Sequence, residues 1–201
     1  IDFVVRKNEI LVVTGIRENG LETLEQILSG EIRMTSGEIL YSRGNTGTHQ
    51  FNLRKMGAGY IPSDRIKTGT SIRSSISDNM ILLKYRSLTE LGLLNLKKIS
   101  AFSSRLIEEF KIKGTSEQTM ATLSGGTIQR VMIAREMEAE PELFIFAEPS
   151  RGLDVQSKEL IYKRIYRLKE KGSGILIISS DIEEAMQIAD RLIILYKGKE
   201  A

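Results

Sequence analysis

Short apolar runs alternate along this chain with longer stretches whose apolar residues recur every three or four positions. The runs are EILVVT (Glu9–Thr14), Glu38–Tyr41, the segment ending at Ile61, Leu143–Phe146, GILIIS (Gly174–Ser179) and RLIILY (Arg191–Tyr196). Each is short and closed by Gly, Pro or a polar residue, so each predicts a strand. Between them, Leu21, Leu24, Ile27 and Leu28 share one helical face that stops at Gly30. Phe102, Leu106, Ile107 and Phe110 line up in the same way, as do Ile128, Val131 and Met132 in a helix over Thr127 to Met137. Two further helices follow Asp154 and Asp181, aspartates suited to capping them. Strands alternating with helices imply an α/β fold, a mainly parallel sheet covered by helices. Ile72–Gln118 is the least regular region, and within it Tyr85–Ile99 reads as a surface loop with Leu88, Leu91, Leu93 and Leu94 partly buried. Asn45–His49 reads as a polar loop with His49 facing solvent.

Three places break this pattern and invite chemistry. LSGGTIQR, Leu123–Arg130, carries no long apolar side chain between Ser124 and Thr127. It reads as a helix start, with Ser124 the cap and Gly125 and Gly126 keeping the first turn bare. Such a mouth offers N–H donors and a positive dipole end to an anion, above all a phosphate. Taken alone it is better read as a turn before an ordinary helix. The second place is GIRENGLETL, a glycine-bounded loop between a strand and the helix from Leu21. This is the setting of the phosphate-binding loop GxxxxGKS/T, with Gly15 and Gly20 at the required separation. The third is Glu148, at the carboxyl end of a strand, where open α/β sheets bind ligands. In isolation it could equally be a capping or solvated acid.

In this order the segments resemble the ATP-binding-cassette (ABC) ATPases. LSGGTIQR is similar to their signature motif, LFIFAEP to the Walker B strand and SRGLDV to the D-loop. GYIPSDR resembles the YxPEDR segment in the second ATPase half of simple-sugar and purine-nucleoside importers, and Ser179-Ser180 fits that group. Tyr85–Ile99 is similar to an insertion in ATPases of nucleoside and basic-membrane-lipoprotein systems. The resemblance implies one nucleotide-binding domain with the P-loop NTPase fold of ABC type. Its core would span 1–70 and 140–201, and a helical subdomain over 71–139 would touch the membrane-spanning subunits. It implies ATP and Mg²⁺ as cofactors. Gly15, Arg17, Asn19, Gly20, Leu21, Glu22, Thr23, Ser63 and Ser180 fall at nucleotide-contact positions. Glu148 falls at the catalytic position that orients or deprotonates the attacking water, and Asp154 at the D-loop. Ser124, Gly125, Gly126 and Gln129 would carry the signature, which serves a site on a partner half.

Several positions depart from the family. Leu21 stands where the lysine belongs, Glu22 where the Ser/Thr belongs, and Glu18 in place of a common glycine. Ala147 replaces the metal-holding Asp, Ser180 the switch histidine, and Ser63 the Q-loop residue. Leu21 makes no charge-assisted bond to phosphate, and Glu22 sets negative charge beside it. Any Mg²⁺ would rest on Glu22, Thr23 and Glu148. A hydrogen bond to a charged group is worth about 1.5–3 kcal/mol, and losing about 4 kcal/mol turns a site of about 1 μM into one of about 1 mM. The expectation is a partly degenerate half, with ATP and Mg²⁺ weak or absent in it alone, whose signature completes an ATP site on a partner half. The alternatives are a fully active ATP-hydrolysing domain and a soluble ABC protein outside transport.

Composition narrows the partners. The chain has 201 residues, a net charge of +3 and a pI near 9.0, with no dense Lys/Arg block, so nothing argues for nucleic acid. It has no cysteine and one histidine, His49, which removes disulfides, thiolate metal sites and histidine clusters. No apolar run approaches the roughly 20 residues of a membrane span. The chain opens on Ile1 rather than Met, and is expected to be a soluble, cytoplasmic piece of something longer or processed. By resemblance it would lie at the inner face of the cell membrane, against a second ATPase half and permease subunits. An extracytoplasmic solute-binding protein would act with it indirectly.

Overall fold

The predicted strands pair with one another, and the order in which they do so fixes where the functional loops lie. A computed structural model describes residues 1–41, 44–46, 53 and 57–201, with the backbone alone for 44–46. His49, expected to face solvent, lies outside the described residues. The chain forms two compact units, one of residues 1–63, 141–151 and 162–201, the other of 64–140 and 152–161.

The elements run β1 (Ile10–Gly15), α1 (Leu21–Ser29), β2 (Ile39–Tyr41), β3 (Gly44–Thr46) and β4 (Gly59–Ile61), then α2 (Ile76–Ile81), β5 (Thr89–Glu90), β6 (Leu93–Leu94), α3 (Leu96–Glu109) and α4 (Gly125–Glu138). They continue with β7 (Leu143–Ala147), α5 (Val155–Glu170), β8 (Gly174–Ser179), α6 (Ile182–Ile188), β9 (Arg191–Tyr196) and β10 (Lys199–Glu200).

In the first unit, six strands form one sheet in the order β10-β9-β1-β8-β7-β4. Every neighbouring pair is parallel except β10 with β9. Strands buried on both faces need apolar residues at every position, which is why ILVVT, FIFA and GILIIS carry no alternation. One face is filled by Leu11, Val13, Ile145, Leu176 and Ile178 against Leu21, Leu24 and Leu28 of α1. The other presents Ile10, Val12, Phe144, Phe146, Ile175 and Ile177, all buried, and α6 packs on β1 and β8. α1 stops as its sequence predicts, at Gly30 in the left-handed region. Asn45 is in β3, paired antiparallel with Leu40, and not in the polar loop expected from Asn45 onward.

In the second unit, α2 packs on α3 and on α4. Ser75 and Asp78 form a reciprocal capping box on α2, and Asn95 caps α3. α4 was expected to bury one stripe, yet every residue from Thr127 to Met137 except Arg130 is buried. Arg135 is accommodated by an ion pair with Glu136 at 3.0 Å and a hydrogen bond to Gly69 O. The Tyr85–Ile99 segment also departs from expectation. Leu88 alone joins Ile81, Ile99 and Phe102 in a buried cluster. Leu91, Leu93 and Leu94 are exposed, Leu91 fully, at the tip of the β5–β6 hairpin. The turn places Leu91 and Gly92 at φ 50° and 82°, as a tight hairpin of right-handed twist requires, and this turns Leu91 outward.

Asp190 binds the start of β1: its Oδ2 accepts from Ile10 N–H at 2.6 Å and its Oδ1 pairs with Lys169. Its partial burial works against ionisation, but Lys169 and the Ile10 N–H outweigh that and hold the carboxyl below its ordinary value. A carboxyl depressed in the folded state adds stability that is present above the unfolded value of about 3.9 and lost as pH falls through the lower folded one. Asp190→Asn is expected to lower the urea midpoint at pH 7, with the gap from the parent closing below pH of about 4. A gap that stays constant down to pH of about 3 would show that the carboxylate contributes nothing as a charge.

Candidate functional site

Parallel strands deliver their carboxyl ends to one edge of the sheet, and the first unit gathers its polar residues there. β1 ends at Gly15, β4 leads through Pro62 to Ser63, β7 leads to Glu148, and β8 leads to Ser180. Gly15 is a requirement of packing: a Cβ there would lie 2.4 Å from the carbonyl oxygen of Leu195 on β9. The loop after it is tight. Arg17–Asn19 form a single 3₁₀ turn closed by Asn19 N–H to Ile16 O, and Asn19 O accepts from Gly198 N–H.

Glu148 is 7 % exposed and sits at φ 51°, a left-handed conformation uncommon for a side chain of this kind. Such backbone strain concentrates at functional sites and costs about 1–3 kcal/mol. Both carboxylate oxygens are engaged. Oε1 accepts from Ser180 N–H at 3.2 Å and Oε2 from the Ser180 hydroxyl at 3.1 Å. The guanidinium of Arg17 lies 3.7 Å from Oε1. The same guanidinium donates to Ser63 Oγ at 2.9 Å and stands 3.9 Å from Glu25 Oε2. Glu25, from α1, accepts in turn from Ser63 N–H and from the Tyr60 hydroxyl. Burial, with the charge of Glu25 beside it, pushes the Tyr60 phenol above its ordinary range, so it remains a donor. The cluster thus joins Arg17, Ser63, Glu148 and Ser180, which the sequence singled out, to Glu25 and Tyr60, which it did not. The signal for Glu25 was present: it lies four residues after Leu21, a carboxylate on the apolar face of α1.

Other expected contact positions fall elsewhere. Leu21 is 1 % exposed and packs in the core beneath the loop, so its side chain does not face an anion there. An apolar side chain at the first turn of α1 gains more from the sheet face than from solvent. Glu22 and Thr23 are exposed on the outer side of α1. Mg²⁺ needs several hard oxygens in near-octahedral array. Among the described residues no group of three or more His, Cys, Asp or Glu could hold an ion. Ala147 offers no oxygen from its side chain, and a guanidinium already faces Glu148. The residues present do not fit the ion in this arrangement.

In the second unit, Ser124 caps α4 as expected, accepting from Thr127 N–H at 3.3 Å. Ser124 and Gly125 are exposed, and a Cβ on Gly126 would come 3.3 Å from Leu153. Arg65 donates to Gly125 O at 3.4 Å. Gln129 was expected with the signature at a partner site, but it is buried in the second turn of α4, where the helix is packed all round. Asp154 takes the capping role: its carboxylate accepts from the Ser157 N–H and hydroxyl, each at 2.8 Å, and these bonds lower its pKa.

The ABC transporter family profile matches residues 1–151. The chain belongs to the ABC transporter family. It is 33% identical over 199 residues to the nucleoside import ATP-binding protein NupA of Lactococcus lactis subsp. cremoris strain MG1363, covering 97% of this chain and 39% of that one. It is 33% identical over 201 residues to the ribose import ATP-binding protein RbsA of Bacillus subtilis strain 168, covering 99% and 41%. The chain therefore spans about two fifths of the length of these relatives. Its fold matches the ATP-binding cassette MJ0796, solved as a dimer in a post-hydrolysis state with ADP and phosphate, at a TM-score of 0.81 and 19% identity over 100% of this chain and 88% of that one. An ATP-binding subunit of an ABC transporter matches at a TM-score of 0.76 and 23% identity, over 99% and 80%. The fold is the α/β P-loop NTPase fold of ABC ATPases.

One support of this cluster was not foreseen from the sequence. Glu184 is 5 % exposed and its carboxylate collects the hydroxyls of Ser150, Ser179 and Tyr162. Ser150 follows Glu148 by two residues and Ser179 precedes Ser180, so this buried acceptor ties together the two segments that meet at Glu148. Glu184→Ala would leave these hydroxyls without their shared acceptor. It is expected to cost about 3 kcal/mol or more in urea unfolding, with Glu184→Gln costing less because one acceptor oxygen remains.

Proposed function

We propose that this chain is a nucleotide-binding domain of an ABC importer for a simple sugar or nucleoside, and that it acts as the donor half of an ATPase pair. Its Ser124–Gly125–Gly126 turn completes an ATP site whose phosphate loop, metal and base lie on the partner half. Its own loop is partly degenerate, with ATP and Mg²⁺ weak or absent in it alone. Glu148, Gly15, Asn19, Gly20 and Asp154 stand at the family's positions, Ser63 and Ser180 stand there as substitutes for other residues, and Glu148 is the catalytic residue of whatever turnover remains. The observation that carries this reading is the contrast between the two loops. The turn at Ser124 is exposed and already capped, with a bare glycine first turn. The loop at Gly15–Leu21 has its outer charge contributed by Arg17, which is engaged with Glu148 and Glu25.

The likeness to NupA and RbsA, which are named for nucleoside and ribose import, supports the transported class. The helical stretch over 71–139, in this reading the subdomain of a core formed by 1–70 and 140–201, would meet permease subunits. Exposed Leu91, Leu93, Leu94 and Leu96 supply apolar surface for that contact. A solute-binding protein outside the membrane would act through those subunits. Among the described residues no helix is long and apolar enough to cross a membrane, and the domain would be held at the cytoplasmic face by its partners.

Paired with the intact partner half, Ser124→Gly keeps a tolerated cap but removes the hydroxyl. Phosphate release by the pair is expected to fall by about 10²-fold, the effect of one lost oxyanion donor. Glu148→Gln is expected to change that rate less than threefold. A pair that keeps its rate without the Ser124 hydroxyl, and loses it with Glu148, is a pair in which this half hydrolyses ATP at its own base.

A further inference from the structure

We propose that the guanidinium of Arg17 takes the place of the divalent cation in this pocket, so that the chain binds the phosphates of a nucleotide without Mg²⁺. The inference rests on the reading that the loop after β1 is a nucleotide pocket. It goes beyond that reading by naming the charge that serves there.

Two buried or nearly buried carboxylates, Glu148 and Glu25, flank one cation at 3.7 and 3.9 Å. A metal at a strand-end glutamate has this electrostatic office: it balances the acid and leaves positive charge for the phosphate. The hard oxygens a metal would need do not converge. Glu22 and Thr23 face solvent, and Ala147 and Leu21 are core residues. A divalent ion brought to Glu148 would also meet a like charge a few ångströms away. The guanidinium suits the task in its own right. Its planar fork matches phosphate oxygens in a bidentate way. Nη1 and Nη2 make the contacts to Glu148, Glu25 and Ser63, so Nε–H has no partner among the described residues. The side chain is 28 % exposed, so solvent and solutes reach it. The pocket is therefore a pre-charged one: the cation is covalently part of the loop, and neighbouring acids hold it in place. Those acids also limit affinity, since the phosphate must share the guanidinium with them.

The test is equilibrium binding of ADP and ATP to the full 201-residue chain, by calorimetry and by nucleotide-dependent thermal shift, in EDTA and in excess Mg²⁺. The expected dissociation constants agree within about threefold between the two buffers. Arg17→Ala is expected to weaken binding by about tenfold or more in both. Glu148→Gln removes a competitor for the guanidinium and a repulsive charge, and is expected to tighten metal-free binding about threefold or more. At a site that relied on a metal held by Glu148 the same change would weaken binding in Mg²⁺, whereas here it is expected to tighten binding in both buffers, so the Mg²⁺ arm of this variant decides the matter even if Arg17→Ala fails to fold. Tightening by Mg²⁺ of about tenfold or more overturns the inference. So does an absence of binding in both buffers. That second result would leave the donor role of Ser124 untouched, since the paired-half assay reads it separately.

Discussion

A carboxylate that ends a parallel strand cannot stay both buried and unanswered. Leaving such a charge without partners costs several kcal/mol, so its neighbours must be recruited from adjoining strands. Glu148 recruits the Ser180 N–H and hydroxyl from the end of β8 and Arg17 from the loop after β1. Arg17 then reaches Ser63 after β4, where Glu25 of α1 also binds. These contacts tie β1, β4, β7 and β8 together at one edge of the sheet. The shape of that edge follows from satisfying two acids with one base. The glycine-bounded loop has to adopt whatever course brings Arg17 to them, and its tight turn over Arg17–Asn19 does so.

Leu21 shows how one apolar residue reassigns such a loop. Burying a leucine is worth about 1.5–3 kcal/mol, and here it anchors the first turn of α1 to the sheet face formed by Leu11 and Val13. A lysine at that position would have to keep its ammonium out of the core. With Leu21 buried, the one guanidinium that faces Glu148 and Glu25 comes from another residue of the loop, Arg17.

The fold was legible because its strands are short apolar runs, the central ones β1, β7 and β8 buried on both faces, and its helices carry apolar repeats of three and four. EILVVT, GILIIS and RLIILY announced themselves, and Gly30 announced the end of α1. The individual loops around Gly15, Glu148 and Ser124 were legible too, since each sits where a strand or helix changes direction. What stayed hidden were interactions between residues far apart in the chain. Nothing local says that Glu184 will collect Ser150, Ser179 and Tyr162, or that Arg17 will reach Glu148. The leucines of the β5–β6 hairpin misled for a related reason. A two-residue ribbon turned by Leu91 and Gly92 has no core of its own to hide them in.

α4 shows how an exposed glycine turn can be held by the helix behind it. Its mouth at Ser124 and Gly125 is open, but of the eleven positions from Thr127 to Met137 all except Arg130 are buried. Arg135, buried with its partner Glu136, is bonded to Gly69 O, which pins the middle of the helix to the turn after Asp64. Arg130 donates to Ser157 Oγ and to Lys111 O, and Ser157 is the residue that Asp154 caps. An exposed helix start moves little when the turns behind it are fixed by buried charge and by bonds to two other segments. For a residue whose proposed work is to hold N–H groups and a hydroxyl against someone else's phosphate, that fixity matters more than any contact the turn makes itself. Preorganised donors lose no free energy to reordering when the charge arrives. The charged groups buried around α4 are thus best understood as the means by which a bare glycine turn is kept in one place.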